Sequence, residues 1–288
     1  MISVIQLGTI DYATGLRLQQ RLVELRKEGG IGDVLLLLEH SAVITLGRNA
    51  KRANILASPE SLAQRGIEVF ECDRGGDVTF HGPGQLVGYP IFDLRGFATP
   101  DGKRKTLGAI EYVRRLEEVL IRSCADFTIP AKRICGLTGV WTVSDGVGPG
   151  LPPGQGGPLR LSSGQAPARL DSIGKNEAKI AAIGVHISRA VTSHGFALNV
   201  NTDLSLFDLI IPCGISAKPV TSIAKELGRQ VSLQDVAHSL SRNFGTIFSS
   251  QMLWLENLDA LLGHPVGVPV KPPEELRQLH EEEDTFWA

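Results

Sequence analysis

Hydrophobic and polar positions follow helical spacing in three parts of the chain. Apolar residues recur every three or four positions over Asp11–Glu28, over about Lys105–Cys124 and behind Ser232, which predicts three amphipathic helices. The Gly29-Gly30 pair is expected to end the first helix. Ser232 followed by Asp235 resembles a capping box and is expected to begin the third helix.

Short apolar runs predict strands between these helices. The predicted strands are residues 4–8, Val34–Leu38, Ala42–Leu46, Val69–Cys72, Asp77–Phe80 and Val87–Phe92. Val34–Leu38 is apolar without a break, which is typical of a strand buried on both faces. Because strands and helices are interspersed, the sequence predicts a mixed α/β class, with a mixed sheet flanked by helices around one core.

A hairpin with small side chains is predicted over residues 179–200. Ala182 and Gly184 share one face of its first strand, and Gly195 and Ala197 share one face of the second. If the strands pair, these faces leave a slot that a slim aliphatic chain could occupy. The same pattern suits a helix packed closely on small residues, and periodicity does not separate the two interpretations.

Two segments are expected to lie outside the core. Residues 144–174 are rich in Gly, Pro and Ser, which predicts a long exposed loop insertion. From Gly263 the chain is interrupted by prolines and then becomes acidic, which predicts a surface tail at 263–288. The remaining residues, 1–262, are expected to form a single domain.

Composition excludes several classes of protein. With 288 residues, 42% of them hydrophobic and 21% charged, the chain is expected to be a soluble globular protein. Lys and Arg total 29 against 31 Asp and Glu, so a strongly basic nucleic-acid-binding surface is not expected. Its longest strongly apolar run is far shorter than the ~20 residues of a membrane helix. The start of the sequence resembles neither a signal peptide nor a transit peptide, so a cytoplasmic protein is expected.

The four cysteines do not form a metal or redox motif. Cys72, Cys124, Cys135 and Cys213 contain no CxxC pair, so neither a zinc site nor a thioredoxin-like site is predicted. Cys124 falls on the apolar stripe of the second helix. Cys213 differs because it follows a predicted apolar strand and Pro212. A cysteine acts as a nucleophile only when a nearby cation or base favours its thiolate. The sequence leaves Lys179, His81 and His194 open as candidates for that group.

The stretch from Arg74 to Tyr89, RGGDVTFHGPGQLVGY, contains five glycines among sixteen residues. Glycines weaken a strand unless the backbone must approach something closely. Exposed backbone N–H groups beside Arg74 and His81 suit a carbonyl, carboxylate or phosphate-like group. A tight Gly-Pro turn is the structural alternative. A P-loop is excluded because no Gly-Lys-Ser/Thr follows.

Several motifs together resemble the lipoyl(octanoyl) transferase family. The family pattern R-G-G-x-x-T-aromatic-H-x-x-G-Q is met from Arg74 to Gln85, and Gly-Tyr follows at Tyr89. Further similarity lies in LLLLEH and TLGR within 35–48, GVW at 139–141, KIAAIGV at 179–185, SHGFALNVN at 193–201 and PCG at 212–214. The insertion and the tail depart from the family pattern. The resemblance implies a fold like the catalytic domain of biotin and lipoate protein ligases.

The resemblance also implies roles for individual residues. Cys213 matches the cysteine that takes the octanoyl group as a thioester, and Lys179 matches the lysine that favours its thiolate. The implied substrate-binding residues are Arg74, Gly75, Gly76, Asp77, Val78, Thr79, Phe80, His81, Ala182, Ile183, Gly184, Gly195, Phe196 and Ala197. The implied donor is octanoyl-acyl carrier protein, and the implied acceptors are lipoyl domains of 2-oxoacid dehydrogenases and the glycine cleavage H protein. No cofactor, metal, nucleic acid or membrane is implied.

Alternatives remain at this point. An ATP-dependent lipoate or biotin ligase has the same fold but needs no nucleophilic cysteine, and a related amidotransferase moves octanoyl between protein domains. An inactive module that binds carrier protein is a further alternative. Basic residues at 103–105, Arg114-Arg115 and Lys132-Arg133 are expected either to dock an acidic carrier protein or to form a solvated face.

Overall fold

The computed structural model of the protein describes four stretches of the chain: residues 1–97, 106–143, 177–212 and 219–262. The predicted insertion at 144–174, the predicted tail at 263–288 and Cys213 lie outside these described residues.

Eleven strands and five α-helices form the described part. The strands are β1 (Ile2–Ile10), β2 (Asp33–His40), β3 (Val43–Leu46), β4 (Glu68–Glu71), β5 (Val78–His81), β6 (Gln85–Ile91), β7 (Ala131–Ile134), β8 (Leu137–Thr142), β9 (Lys179–Ser188), β10 (Val191–Asn199) and β11 (Met252–Leu255). The helices are α1 (Tyr12–Glu28), α2 (Pro59–Gln64), α3 (Ala109–Asp126), α4 (Ile223–Leu227) and α5 (Leu233–Phe248).

The strands build two sheets. Eight strands form a mixed sheet in the order β11-β1-β2-β6-β10-β9-β8-β7, and three form a smaller sheet in the order β4-β3-β5. In the large sheet β1 is parallel to both β2 and β11, while all pairs from β2 to β7 are antiparallel. The predicted hairpin of β9 and β10 is confirmed.

Helices cover both faces of the large sheet. Leu35 and Leu37 of β2 belong to an apolar cluster with α3 and α5, whereas Leu36 and Leu38 pack in a second cluster with α1. The prediction that this strand is buried on both faces is therefore confirmed. A third cluster, which includes Phe80, lies at the small sheet, so the apolar interior is divided more finely than the single predicted core.

Capping residues explain where α1 begins and ends and where α5 begins. The Asp11 side chain accepts a hydrogen bond from the Thr14 N–H at the start of α1, and Gly29 ends it with φ 79°, a conformation that favours glycine. Ser232 caps α5 as predicted, and its hydroxyl accepts from the Asp235 N–H. Within the described residues, none of these helices has the length and apolarity to cross a membrane.

The helix α3 differs from its predicted bounds. It begins at Ala109, because Gly108 has the extended backbone of an N-terminal cap. Ile110, an apolar residue within the predicted helix, is 81% exposed. The predicted strand before Cys213 is also wrong. A 3-10 helix occupies Leu204–Leu209, and Ile210 after it forms an isolated bridge with Ile55.

Candidate active site

The glycine-rich loop is fixed to its surroundings by the Arg74 side chain. Its Nη2 donates to the backbone oxygen of Thr45 over 2.7 Å, and its Nε donates to Thr45 Oγ1 over 3.1 Å. The next residue, Gly75, donates its backbone N–H to Val185 O of β9 over 3.0 Å. The buried Arg74 guanidinium thus holds the loop to β3 of the small sheet, and the Gly75 N–H joins the loop to β9 of the large sheet.

A cavity lies between this loop and the β9–β10 hairpin. Its lining residues are Tyr12, Arg74, Gly75, Gly76, Asp77, Thr79, His81, Val87, Tyr89, Ala182, Ile183, Gly184, His194, Gly195, Phe196 and Ala197. Twelve of the fourteen predicted substrate-binding residues are in this set. The structure therefore brings the predicted segments together around one cavity.

Val78 and Phe80 are the two predicted substrate-binding residues that do not line the cavity. Both are fully buried in the apolar cluster at the small sheet. Side chains alternate along a strand, so Thr79 and His81 face the cavity while their neighbours on β5 face away. The motif was assigned as a continuous run, whereas a strand presents only every second residue.

Tyr12, Val87 and Tyr89 line the cavity although the sequence did not predict them as site residues. Val87 and Tyr89 share one face of β6, so strand alternation from the adjacent motif was a signal that could have found them. Tyr12 stands at the start of α1, and only the tertiary fold brings it to the site.

The small residues of the hairpin have two different roles. In the register of β9 and β10, Ala182 is opposite Ala197 and Gly184 is opposite Gly195. A Cβ on Gly184 would lie 2.7 Å from Gly75 O, so the glycine-rich loop itself packs there. The predicted alternative, a helix packed on these residues, is wrong at Gly184. Close backbone packing holds at the glycine pair, and open space lies at the alanine pair.

A second, smaller cavity continues from the alanine pair. It is lined by Thr79, Gln85, Lys179, Ala182, Ala197, Asn199, Phe207, Pro212 and Val220. Thr79, Ala182 and Ala197 line both cavities. The two cavities therefore share one wall, with the glycine-rich loop at one end and Lys179 at the other.

Lys179 is the first residue of β9 and its side chain is buried. Its Nζ lies 4.8 Å from the centroid of the Trp141 ring, a favourable position for a cation over an aromatic face. Its backbone oxygen accepts a hydrogen bond from the Thr221 N–H over 2.9 Å. Pro212, the residue before Cys213, lines the same cavity as Lys179.

His81 is a neutral hydrogen-bonding group in the first cavity. Its Nδ1 lies 2.7 Å from Gln85 Oε1, and Gln85 Nε2 donates to Asn199 Oδ1 over 2.9 Å. Because the amide nitrogen is used there, Nδ1 of His81 donates and Nε2 is left as an acceptor. Burial lowers the pKa of His81 to about 3, so the ring is uncharged at neutral pH.

His40 and His194 are also held in fixed orientations. His40 Nδ1 donates to Ile10 O, and its Nε2 accepts from the Tyr89 hydroxyl over 2.6 Å. Burial lowers the pKa of His40 to about 4. His194 Nε2 lies 2.7 Å from Asp73 Oδ1; burial lowers the pKa of His194, although the carboxylate opposes the shift.

In the part of the chain that the structure describes, the other cysteines and the metal-ligating side chains form no further site. Cys124 is buried, and burial raises the pKa of its thiol to about 12, as fits a residue of the apolar core. Cys72 is partly exposed and Cys135 is exposed. Across the described stretches, no group of three or more His, Cys, Asp or Glu side chains is arranged to hold a metal ion.

The basic residues considered for docking are largely paired. Arg114 Nη1 lies 2.7 Å from Glu117 Oε2, and Arg133 Nε lies 3.1 Å from the same oxygen. Lys132 Nζ lies 2.5 Å from Glu177 Oε1. These ion pairs favour a structural role for the three cations over a docking surface. Residues 103–105 lie outside the described part.

A family model and curated relatives match most of the chain. The model of the lipoyl protein ligase A/B catalytic domain matches residues 11–245. An octanoyltransferase of Koribacter versatilis is 58% identical over 283 residues, which cover 98% of each chain. An octanoyltransferase of Acidobacterium capsulatum is 53% identical over 264 residues, 91% of this chain and 96% of the relative.

Solved structures show the same fold at low sequence identity. A crystal structure of lipoate-protein ligase A bound with ATP has a TM-score of 0.61 at 15% identity and covers 98% of this chain and 94% of that one. The bi-partite lipoate protein ligase of Thermoplasma acidophilum has the same TM-score and identity, with 97% and 90% coverage. The predicted mixed α/β fold of lipoate ligase catalytic domains is thereby confirmed.

Proposed function

The chain belongs to the lipoyl protein ligase A/B catalytic-domain family and, within it, is an acyltransferase of the octanoyltransferase group that acts in protein lipoylation; from this premise we propose that Cys213 and Lys179 carry out the transfer. In this proposal Cys213 takes the octanoyl group as a thioester and Lys179 stabilises its thiolate. The substrate-binding residues are those around the two adjoining cavities, and residues 1–262 form the catalytic domain.

The observation that carries this proposal is the position of Lys179 beside described residues that come before and after Cys213 in the sequence. Pro212, on one side of Cys213, lines the cavity with Lys179. On the other side, Lys179 is joined to Pro219 and Thr221 by backbone hydrogen bonds. The described residues on both sides of 213–218 therefore lie beside Lys179, which supports the assignment of Cys213 and Lys179 to one site.

The first half of the reaction forms an enzyme thioester. The Cys213 thiolate attacks the carbonyl carbon of the octanoyl thioester, a new C–S bond forms, and the bond to the carrier sulfur breaks. The carrier thiolate takes up the proton that Cys213 lost and leaves as a thiol. A buried Lys179 ammonium stabilises the attacking thiolate, or neutral Lys179 accepts its proton.

The second half transfers the acyl group to a lysine amine. The ε-amine of the acceptor attacks the enzyme thioester, the bond to Cys213 sulfur breaks, and the amine proton passes to the departing thiolate. An amide is more stable than a thioester, so the transfer proceeds without ATP. The free cysteine is restored.

The cavities supply a place for the acyl chain. From Lys179 the shared wall of Thr79, Ala182 and Ala197 leads towards the glycine-rich loop. An aliphatic chain of eight carbons lies against methyl groups and backbone here, where burial of each CH₂ is favourable by ~0.8 kcal/mol. The neutral state of His81 supports this role, because its ring adds no charge beside the apolar chain.

The partners are a protein that donates the acyl group and a lipoyl domain that accepts it. For the donor we propose octanoyl-acyl carrier protein. For the acceptors we propose the lipoyl domains of 2-oxoacid dehydrogenases and the glycine cleavage H protein.

Intact mass spectrometry tests the proposal directly. The full chain is mixed with octanoyl-acyl carrier protein without ATP, and the expected result is a mass gain of one octanoyl group that peptide mapping assigns to Cys213. Addition of a lipoyl domain should remove this group and place it on the acceptor lysine. Transfer that requires ATP, or an adduct on another residue, would contradict the cysteine mechanism and favour a ligase.

A further inference from the structure

A buried carboxylate lies behind Lys179 on the helix α3. Glu117 is only 1% exposed. Its Oε2 accepts hydrogen bonds from Arg114 Nη1 over 2.7 Å and from Arg133 Nε over 3.1 Å. A buried carboxylate with two guanidinium partners is held in one position, because moving it would leave its charge unpaired.

The other oxygen of Glu117 binds the backbone of β8. Its Oε1 accepts the N–H of Gly139 over 3.2 Å. At this point the pairing of β8 with β9 is irregular, since the register shifts between Val140 and Trp141. Gly139 has a φ of 118°, a backbone conformation that favours glycine. Glu117 therefore holds an irregular part of the strand through a side-chain acceptor.

Gly139 in turn lies beside the end of the Lys179 side chain. A Cβ at Gly139 would lie 3.4 Å from Lys179 Cε and 3.7 Å from its Nζ. The ring of Trp141 lies beside the same ammonium, 4.8 Å from Nζ to the ring centroid. The end of the lysine side chain thus lies against two residues of β8, and one of them is fixed by Glu117.

We propose that Glu117 is a positioning residue that, through Gly139, holds the β8 backbone in the place that orients the Lys179 ammonium towards the cavity it shares with Pro212. This inference rests on the proposed function, because it assumes that Lys179 stabilises the Cys213 thiolate. A displacement of a catalytic group by about 1 Å can lower a rate ~10²-fold, so the backbone behind Lys179 matters for the chemistry.

The test measures alkylation of Cys213 by iodoacetamide as a function of pH, followed by peptide mass spectrometry so that Cys72 and Cys135 do not contribute. In Glu117→Ala we expect the midpoint of the profile to move to higher pH by about half a unit or more, because a displaced ammonium stabilises thiolate less. Octanoyl transfer should fall about tenfold in kcat, with little change in KM for the donor.

The direction in which the midpoint of the alkylation profile moves distinguishes a positioning role of Glu117 from its other possible roles. If Glu117 acted only through its negative charge, its removal would favour the thiolate and move the midpoint to lower pH. If it only stabilised the fold, the midpoint would not move. Either result would overturn the proposal.

Two further variants complete the test. Glu118→Ala is the matched control: Glu118 also pairs with Arg133 but makes no hydrogen bond to Gly139 among the described contacts, so its midpoint should stay unchanged. Glu117→Asp serves if the alanine variant does not fold, because it keeps the charge and shortens the reach to Gly139. Its midpoint should also move up, and an unchanged midpoint would overturn the proposal.

Lys179→Ala distinguishes failure of this inference from failure of the proposed function. If Lys179→Ala leaves the alkylation profile unchanged, the proposed role of Lys179 is wrong. If Lys179→Ala moves the profile but neither Glu117 variant does, the role of Lys179 stands and the inference about Glu117 is wrong.

Discussion

The backbone nitrogen of Lys179 donates a hydrogen bond to the carbonyl oxygen of Pro219 over 2.9 Å. This bond joins the first residue of β9 to the chain six positions after Cys213. Because this hydrogen bond joins backbone atoms, substitution of the Lys179 or the Pro219 side chain leaves it in place. Variants at Lys179 and Cys213 therefore report on chemistry rather than on whether the two segments meet.

Cys213→Ala should abolish octanoyl transfer, with a loss of at least about 10³-fold, because no thioester can form. The change should leave the far-UV circular dichroism spectrum and the melting temperature close to those of the parent. Cys135→Ala is the control, since Cys135 is an exposed thiol, and it should keep full activity. Near-normal turnover in Cys213→Ala would rule out a cysteine nucleophile.

Lys179→Ala should slow acylation of Cys213 by ~10²–10⁴-fold, the usual contribution of a positioned acid or base. Single-turnover measurement with octanoyl-acyl carrier protein gives the rate. Lys225→Ala, on the helix α4, is expected to behave as the parent. An unchanged acylation rate in Lys179→Ala would mean that a histidine activates the thiol instead.

Ala197→Leu should block the octanoyl chain but spare a short acyl donor such as an acetyl thioester. Ala197 lines both cavities, so a leucine side chain there would fill the space proposed for the acyl chain. Such overpacking also costs ~1–3 kcal/mol of stability, so the free energy of unfolding is measured first.

Ala63→Leu, at an exposed position of α2, controls for the added bulk at position 197. The ratio of octanoyl to acetyl activity is the readout, and an unchanged ratio in Ala197→Leu would remove Ala197 from the acyl site. Gly184 is a poor position for this test, because any Cβ there would push against the Gly75 backbone and disturb the loop.

The buried histidines predict a loss of stability in mild acid. An unfolded histidine has a pKa near ~6.5, whereas burial lowers the pKa of His81 to about 3 and that of His40 to about 4. Above pH ~6.5 both rings are neutral in either state and the stabilisation is fully present. As pH falls towards 4, the unfolded chain binds protons that the folded chain does not, so the free energy of unfolding decreases.

Urea unfolding between pH 7.5 and 4.5 measures this effect. Each such histidine contributes a slope that approaches about 1.4 kcal/mol per pH unit. His81→Asn should reduce the slope, whereas His238→Asn, at an exposed position of α5, should not. Equal slopes in His81→Asn and the parent would contradict the neutral, buried state of this ring.

The sequence predicted the parts of the fold that depend on periodicity and caps. Asp11 and Gly29 bound α1 as expected, and the β9–β10 hairpin forms with Ala182 opposite Ala197. Short elements with mixed polarity were missed. The strand β7 contains Lys132 and Arg133, and its apolar pattern is too brief to distinguish a sheet edge from a loop.

The sequence predicted which segments line the cavity better than it predicted which side chains face it. The motif located the loop from Arg74 to His81, but alternation on β5 turns Val78 and Phe80 into the apolar core. Glu117 carries no motif, and a glutamate on a helix is ordinarily exposed. Only the packing of α3 on β8 shows that its carboxylate is buried and reaches Gly139.

The place of β1 in the large sheet sets an order of events during synthesis on the ribosome. Residues 2–5 of β1 pair on one side with β2, which follows soon after in the chain, and on the other side with residues 252–255 of β11. The strand β1 therefore keeps an open edge until β11 has been translated. Open edges invite pairing with other chains, so nascent copies of this enzyme are most prone to aggregate during that interval.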